Sequence, residues 1–358
     1  MPWQPDMIGM TTYRPWIPKR VLVTPAALAF AHGAAIVARA EAAGSEIIRL
    51  PVDRLSGLPD TYRDAKTTLA VVVASPSKRR PQPIPPSADW RFDLAEGCPA
   101  HCQYCYLAGS LTGPPIIRAY ANLPEILAEL APLQGQGQVT SRSLARAGEG
   151  TTYECSCYTD PLGIEHLTGS LAACITHFGE WNAPVQLRFT TKFDAVEPLL
   201  CLPHQGRTRV RFSLNSKAGE RFEGGAPRMD GRLAALRAMA QAGYPIGLTI
   251  APILPLPDWQ EEYDRLLANV ADALDGVPVP DLTVELITHR FTDKSKSVLT
   301  GWYPGSDLPL DEAARTRKLT KFGTSKWVLP RTEMTAMRDV ITATLARRLP
   351  DARTLYWT

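Results

Sequence analysis

The amino-acid sequence predicts an α/β protein: a partial or complete β/α barrel, with a small α/β region before it and a hairpin-and-helix extension after it. Three observations predict this. Six apolar, β-branched runs recur between Asp89 and His289. Segments with apolar residues at helical spacing separate them. A proline-rich stretch, "SPSKRRPQPIPPSA", precedes the first run. Strand–helix alternation implies parallel strands joined by right-handed crossovers. A doubly wound open sheet is the alternative, and either fold places chemistry at the carboxyl ends of the strands. The expected regions are 1–85 (α/β unit), 86–305 (barrel) and 306–358 (extension).

In chain order, "RVLVTP", the alanine-rich "AALAFAHGAAIVARAEAAG" and "EIIRLP" read as strand, helix and strand, and "TLAVVVA" as a further strand. The proline-rich stretch reads as a connector and boundary near residues 76–88. The barrel strands are expected in "DWRFDLA", "TYECSCYTD", "VQLRFTTKF", "TRVRFSLN", "IGLTIAP" and "LTVELITH". Helices are expected in "LPEILAELAPL", "LTGSLAACITHFGEW", "MDGRLAALRAMAQAGY" and "PDWQEEYDRLLANVADAL". The third of these places Leu233, Leu236 and Met239 with Ala240 on one face and stops at Gly243. The fourth opens on Asp258, with Glu261 three residues on completing a capping box. "QGQGQVTSRSLARAGEG" is polar and glycine-rich and reads as a loop.

Composition bounds the function. With 45% hydrophobic and 21% charged residues in 358, the chain is ordinary for a folded, water-soluble protein. No run of about 18 apolar residues suggests a membrane span, and the N-terminus lacks the basic-then-apolar pattern of a secretory signal, so a cytoplasmic location is expected. A net charge of +3 is too small to argue for a polyanionic partner by itself. Its distribution says more: "RTRKLTKFGTSKWVLPR", Arg315 to Arg331, holds six basic residues and no acid. That strip is either a solvated surface or a phosphate contact.

The 7 cysteines do not form a disulfide framework, being odd in number and uneven in spacing. Cys174 and Cys201 stand alone and read as core or surface thiols. Three others crowd into "CPAHCQYCYLAG": Cys98, Cys102 and Cys105, in the spacing C-x3-C-x2-C. Three thiolates on one loop can hold three corners of an iron–sulfur cube and leave one iron open. Zinc is the competing metal, with His101 or a distant cysteine as fourth ligand; it leads to a zinc-stabilised nucleic-acid-binding protein without catalysis.

The loop, with an aromatic residue directly before its third cysteine, resembles the radical S-adenosylmethionine (SAM) superfamily. "CPAHCQYCYL" followed by "IRAYANL", "YECSCYTDPLGIEH", "TTKF", "RFSLN", "AGYPIGLTIAPI", "VELITHRFT" and "KFGTSKW" together resemble the spore photoproduct lyase family, in family order from about Lys19 to Thr358. The resemblance implies a radical SAM partial (β/α)6 barrel with a [4Fe-4S] cluster and SAM as cofactors. It implies repair of a cross-linked pyrimidine lesion in DNA, 5-thyminyl-5,6-dihydrothymine, to two thymines. A related lesion or modified base is the alternative substrate. An electron donor of flavodoxin or ferredoxin type is the implied second partner, with no membrane involved.

Position by position, the resemblance implies Cys98, Cys102 and Cys105 as cluster ligands and Cys157 as the hydrogen donor to the substrate radical. It implies Tyr104 and Tyr106 as the route returning that hydrogen; alternatively they only pack around the cluster. Thr159, Lys192, Ser213 and Ala251, at or just past strand ends, match cofactor-contacting positions, and Asp160 is a further candidate there. Thr159 stands where serine is expected. Lys192 reads otherwise as a structural ion pair, and Asp160 as a cap. The hairpin in "KFGTSKW" is implied to contact DNA through Lys321, Phe322 and Lys326; Lys321 and Phe322 stand where arginine and tyrosine are expected, and lysine loses the bidentate phosphate geometry. Cys155, two residues before Cys157 and on the same face of the strand, is an alternative donor or inert. His166, His177 and His204 show no ligand spacing.

Overall fold

The computed structural model describes residues 14–111, 113–319 and 325–358. The N-terminal run of alternating strand and helix builds a five-stranded sheet from β1 (Arg20–Val23), β2 (Glu46–Arg49), β3 (Thr68–Val72), β8 (Ile117–Tyr120) and β6 (Ala95–Glu96). Its order is β2-β1-β3-β8-β6, parallel except where β6 joins β8. Val21, Val23, Leu69 and Val71 pack with Ile36 and Val37 of the helix Ala31–Ala42. Two of these strands come from beyond residue 85, so the segment bearing the cysteines is stitched into this sheet at both ends.

The second sheet has eight strands in the order β17-β14-β13-β11-β10-β9-β5-β4. These are β4 (Gln82–Ile84), β5 (Ala88–Phe92), β9 (Thr151–Cys155), β10 (Val185–Thr191), β11 (Thr208–Leu214), β13 (Ile246–Ile253), β14 (Thr283–Thr288) and β17 (Arg353–Trp357). All six expected barrel strands are present, adjacent and parallel. The sheet is larger than a six-strand unit. The C-terminal strand β17 adds in parallel to β14, and β4 adds antiparallel to β5. The proline-rich stretch is therefore not a free connector. Pro76–Arg79 is a short helix and Gln82–Ile84 an edge strand, where Pro83 is tolerated because an edge strand has an outer side on which no ladder N–H is needed.

Alternation along the strands assigns the two faces. Leu187 and Phe189, Val210 and Phe212, Val284 and Leu286 join one core with helices Ser170–Glu180, Met229–Gln241 and Trp259–Leu274. Between them, Glu154, Arg188, Arg211 and Glu285 point to the other face. Arg188 bonds Glu285 at 2.8 Å and the carbonyl of Ser87. Arg211 pairs with Glu285 at 2.6 Å and with Glu154. Strands β10 and β14 are not neighbours, so these chords require a curled sheet. A chain of buried ion pairs fills its lower interior, each charge supported by another, since an unpaired one costs several kcal/mol.

Two local expectations change. Asp258 precedes the helix Trp259–Leu274 but has φ of 58° and makes no side-chain cap, so the capping box does not form. The Glu262 side chain instead accepts the backbone N–H of Ala218. A capping box occurs elsewhere, between Thr292 and Ser295 at the start of the helix Asp293–Trp302. The helix Met229–Gln241 follows its prediction, with Leu233, Leu236, Met239 and Ala240 buried and Gly243 at φ 83° beyond it.

The polar loop before β9 is held by Asp89, which accepts the backbone N–H of Val139 (2.9 Å), Thr140 (3.0 Å) and Thr152 (3.0 Å). Burial opposes ionisation of Asp89, but hydrogen bonds from Thr140, Thr152 and Val139 outweigh it and lower the pKa below the carboxylate norm. A lowered folded pKa means the stabilisation is present above the unfolded value and is lost as pH falls through the folded one. Asp89→Asn is expected to cost about 1–3 kcal/mol in urea unfolding at neutral pH, and the gap from the parent should close as the titration is repeated at increasingly acid pH.

Candidate active site

The cysteine loop follows β5 and β6 directly. Gly97 opens it at φ 83°, and any side chain there would drive into the carbonyl oxygen of Ile116, so glycine is required. Its N–H bonds the carbonyl of Tyr158 at 2.9 Å, tying the loop to the end of β9. The middle of the loop, β7 (His101–Cys102), pairs antiparallel with β12 (Glu223–Gly224). Cys98, Cys102 and Cys105 are free thiols and line one cavity of about 530 Å³. Burial pushes the Cys98 thiol up to about 11 and Cys102 further, so loading a metal there releases protons.

Among the described residues no three Cys, His, Asp or Glu side chains converge on a point that holds a single ion. Zinc needs its ligands about 2.0–2.3 Å from one centre. His101, the expected fourth zinc ligand, has its Nδ1 3.2 Å from the Tyr62 hydroxyl. Three cysteine thiols of one loop around a single cavity fit the three protein corners of a cluster.

Cys157 lies past the end of β9. Ser156 has φ of 60° and breaks the two-residue alternation of the strand. Cys155 is buried in the core that also holds Tyr153, Cys174 and Phe178. Cys157 instead is half-buried, among Glu154, Asp93 and Arg211 on the curled side. The two thiols therefore do not share a face, which removes the geometric reason for Cys155 as an alternative donor. Burial, then Glu154 and Asp93, push the Cys157 thiol well above its usual value, so it remains an S–H group. The phenol of Tyr106 donates to the Cys157 carbonyl at 2.8 Å.

Tyr104 turns to the other side of the loop. It is buried, and its hydroxyl donates to Glu223. The same carboxylate accepts Lys192 Nζ at 2.8 Å and pairs with Arg232 at 2.5 Å. Burial opposes ionisation of Glu223, but Lys192 and Arg232 outweigh it and hold the carboxyl down at about 2. Lys192 Nζ also donates to Ser213 Oγ at 2.8 Å. Lys192 is thus ion-paired, as its structural reading supposed, with a partner the sequence did not reveal. Asp160 accepts Thr191 Oγ1 at 2.8 Å and the Lys192 N–H at 2.7 Å, which sets the turn that aims Lys192. Burial raises Asp160 to about 6 despite these bonds. Thr159 Oγ1 and Thr249 Oγ1 are buried without a hydrogen-bond partner, the mark of a hydroxyl awaiting a polar ligand. Ala251, half-buried, lies near the end of β13.

A family model described as spore photoproduct lyase matches residues 16–358. This chain belongs to the spore photoproduct lyase family. The spore photoproduct lyase of Geobacillus sp. (strain Y412MC61) is 38% identical over 352 residues, covering 96% of this chain and 100% of that one. The Bacillus subtilis (strain 168) enzyme is 36% identical over 351 residues, covering 96% and 99%. A solved spore photoproduct lyase complexed with dinucleoside spore photoproduct superposes with a TM-score of 0.88 at 37% identity, over 96% of this chain and 100% of that one. A mutant form with bound AdoMet and dinucleoside spore photoproduct gives the same TM-score at 36% identity and the same coverage. The family is a radical SAM family with a [4Fe-4S] cluster.

In this family member the basic hairpin is β15 (Thr316–Leu319) against β16 (Ser325–Val328). It is anchored where Trp327 exchanges backbone hydrogen bonds with Phe291 at 2.7 and 3.2 Å. Lys326 sits on β16, its pKa lowered by burial and by repulsion from Arg290 and Lys318. Lys321 and Phe322 lie outside the described residues. Sequence reasoning missed Glu223 and Arg232, which carry no motif of their own. It also missed the interior charges, although the alternation in "QLRF", "RVRF" and "VELI" carried that signal. No helix among the described residues is long and apolar enough to cross a membrane.

Proposed function

We propose that this chain repairs DNA as a radical SAM carbon–carbon lyase, converting 5-thyminyl-5,6-dihydrothymine into two thymines. Cys98, Cys102 and Cys105 would hold the [4Fe-4S] cluster. Thr159, Ser213 and Ala251, with Lys192 and its positioning residue Asp160, would hold SAM, the unpartnered Thr159 hydroxyl gaining a ligand atom. Loaded in this way, the site supplies a 5′-deoxyadenosyl radical.

The rest is the work of the chain. After the cross-link has opened, the thyminyl radical takes a hydrogen atom from the Cys157 S–H bond, leaving a thiyl radical. Tyr106, bonded to the backbone carbonyl of Cys157, would reduce that thiyl by giving up its phenolic hydrogen. Tyr104, across Cys105, continues the route. The observation that carries the reading is the Cys157 loop itself: a protonated thiol turned out of its strand, on a residue whose backbone carbonyl accepts the Tyr106 hydroxyl and whose loop is tied to the cysteine loop through Gly97 and Tyr158.

The partner is DNA bearing the lesion, with reducing equivalents from a carrier of flavodoxin or ferredoxin type, and the setting is the cytoplasm. The partial barrel is read as the (β/α)6 type, enlarged by β4 and β17. The test is anaerobic reconstitution with iron and sulfide, then assay on a defined dinucleotide lesion with SAM and dithionite. Two thymines per lesion are expected. Formation of 5′-deoxyadenosine without thymine would instead assign the same chemistry to another lesion or modified base.

Lys326, Lys321 and Phe322 are proposed to contact the DNA around the lesion. Lys326→Ala is expected to weaken binding uniformly across sequences and to reduce the slope of log K against log salt by about 1, since one phosphate contact is lost. Fluorescence anisotropy at several salt concentrations measures this, and an unchanged slope removes Lys326 from the contact.

A further inference from the structure

The N-terminal α/β region has no part in the chemistry proposed above, yet it touches the cysteine loop. Its short helix Tyr62–Lys66 lays two side chains, four residues apart and so on one face, against that loop. Lys66 is 6% exposed. Its Nζ donates to the carbonyls of Cys98 and of Ala100, the latter at 2.5 Å. No ion pair among the described residues includes it, although Lys192, on the other side of the loop, has Glu223. Backbone carbonyls solvate a buried ammonium but do not neutralise it, and a buried charge without a counter-charge costs several kcal/mol. Lys66 lines one cavity together with Cys98, Cys102 and Cys105. A cluster core of charge +2 on three thiolates leaves a net negative charge, and one-electron reduction makes it more negative still.

We propose that Lys66 is the built-in counter-charge of the cysteine-loop cluster, a positioning residue that holds the loop by two carbonyls and favours the one-electron-reduced cluster. This rests on the cluster assignment made above. Cluster potentials follow net charge and hydrogen bonding in their surroundings, so a fixed cation raises the potential and makes reduction by a weak external donor easier. The electron comes from that donor, and no bond or proton is exchanged with Lys66. The N-terminal region thereby acquires a role: its helix Tyr62–Lys66 delivers one cation to the cysteine loop.

The experiment compares Lys66→Gln, which keeps a neutral donor to the carbonyls, with Lys66→Arg, which keeps the charge. Each protein is reconstituted anaerobically without substrate, its iron is counted, and its cluster is titrated with dithionite by electron paramagnetic resonance. Thermal melts of the cluster-free proteins separate folding effects. Lys66→Gln should lower the reduced-to-oxidised ratio at fixed potential about tenfold, a shift of about 59 mV for a one-electron couple. Lys66→Arg should stay near the parent. A Gln variant with full iron and an unshifted midpoint overturns the proposal, as does an Arg variant shifted equally far. If the Gln variant assembles no cluster, an Arg variant with a cluster at the parent midpoint upholds it, and an equally empty Arg variant overturns it. A parent protein that itself takes up no iron–sulfur cluster removes the cluster assignment and this inference together.

Discussion

Cys98→Ala, Cys102→Ala and Cys105→Ala are each expected to lose the cluster and to form no 5′-deoxyadenosine above background. All three thiols line one cavity, and the described residues offer no spare ligand in a single-ion arrangement. Losing an outer-shell partner of a metal ligand typically costs about 10–100-fold in affinity or activity, and losing a ligand itself exceeds that. Iron and sulfide analysis with the visible spectrum after reconstitution measures retention; chromatography measures 5′-deoxyadenosine. The apo fold should persist, because the loop is also held by Gly97 on Tyr158 and by the pairing of β7 with β12. A variant that keeps four irons and cleaves SAM at the parent rate would refute the assignment of that cysteine.

Cys157→Ala should behave in the opposite way. As the proposed donor, Cys157 would act only after SAM has been cleaved and the lesion opened, so the cluster and 5′-deoxyadenosine formation should both survive. Thymine restoration should fall by about 10–100-fold, a barrier increase of roughly 1.4–2.7 kcal/mol. Adducts of the unquenched thyminyl radical, such as those with dithionite-derived species, should accumulate. Cys155→Ala is the informative control. Its thiol lies in the helix-side core, so its loss should cost stability of about 1 kcal/mol and leave the product ratio unchanged. The double variant should restore no more thymine than Cys157→Ala alone. Normal restoration by Cys157→Ala together with failure of Cys155→Ala would move the donor by two positions and contradict the geometry of this strand end.

The Cys155 and Cys157 pair shows where local sequence reasoning stops. From "YECSCYTD" alone, two cysteines two residues apart read as one strand face. The strand ends at Cys155, and Ser156 adopts a left-handed conformation that sends Cys157 elsewhere. No propensity marks a serine for positive φ; the surrounding loop imposes it. Asp258 is a similar case, because its cap is lost to a backbone conformation that its own residue type did not announce.

The sequence by itself determined the α/β class, the six central strands in their order, and the crowding of three cysteines on one loop. These depend on short-range spacing: apolar alternation, helical periodicity and three thiols within eight residues. Only the tertiary structure decided that the proline-rich stretch is an edge strand and that the last strand completes the sheet. It likewise decided that Glu223 holds Lys192, Arg232 and Tyr104 together, and that Lys66 reaches the cysteine loop from a helix of the N-terminal region. The physical reason is distance along the chain. Lys192 and Glu223 are 31 residues apart, Tyr104 and Glu223 are 119, and Lys66 and Ala100 are 34. Pairings of that kind form when buried charges must find partners in a closed interior, a condition that exists only after the sheet has curled and the helices have covered it.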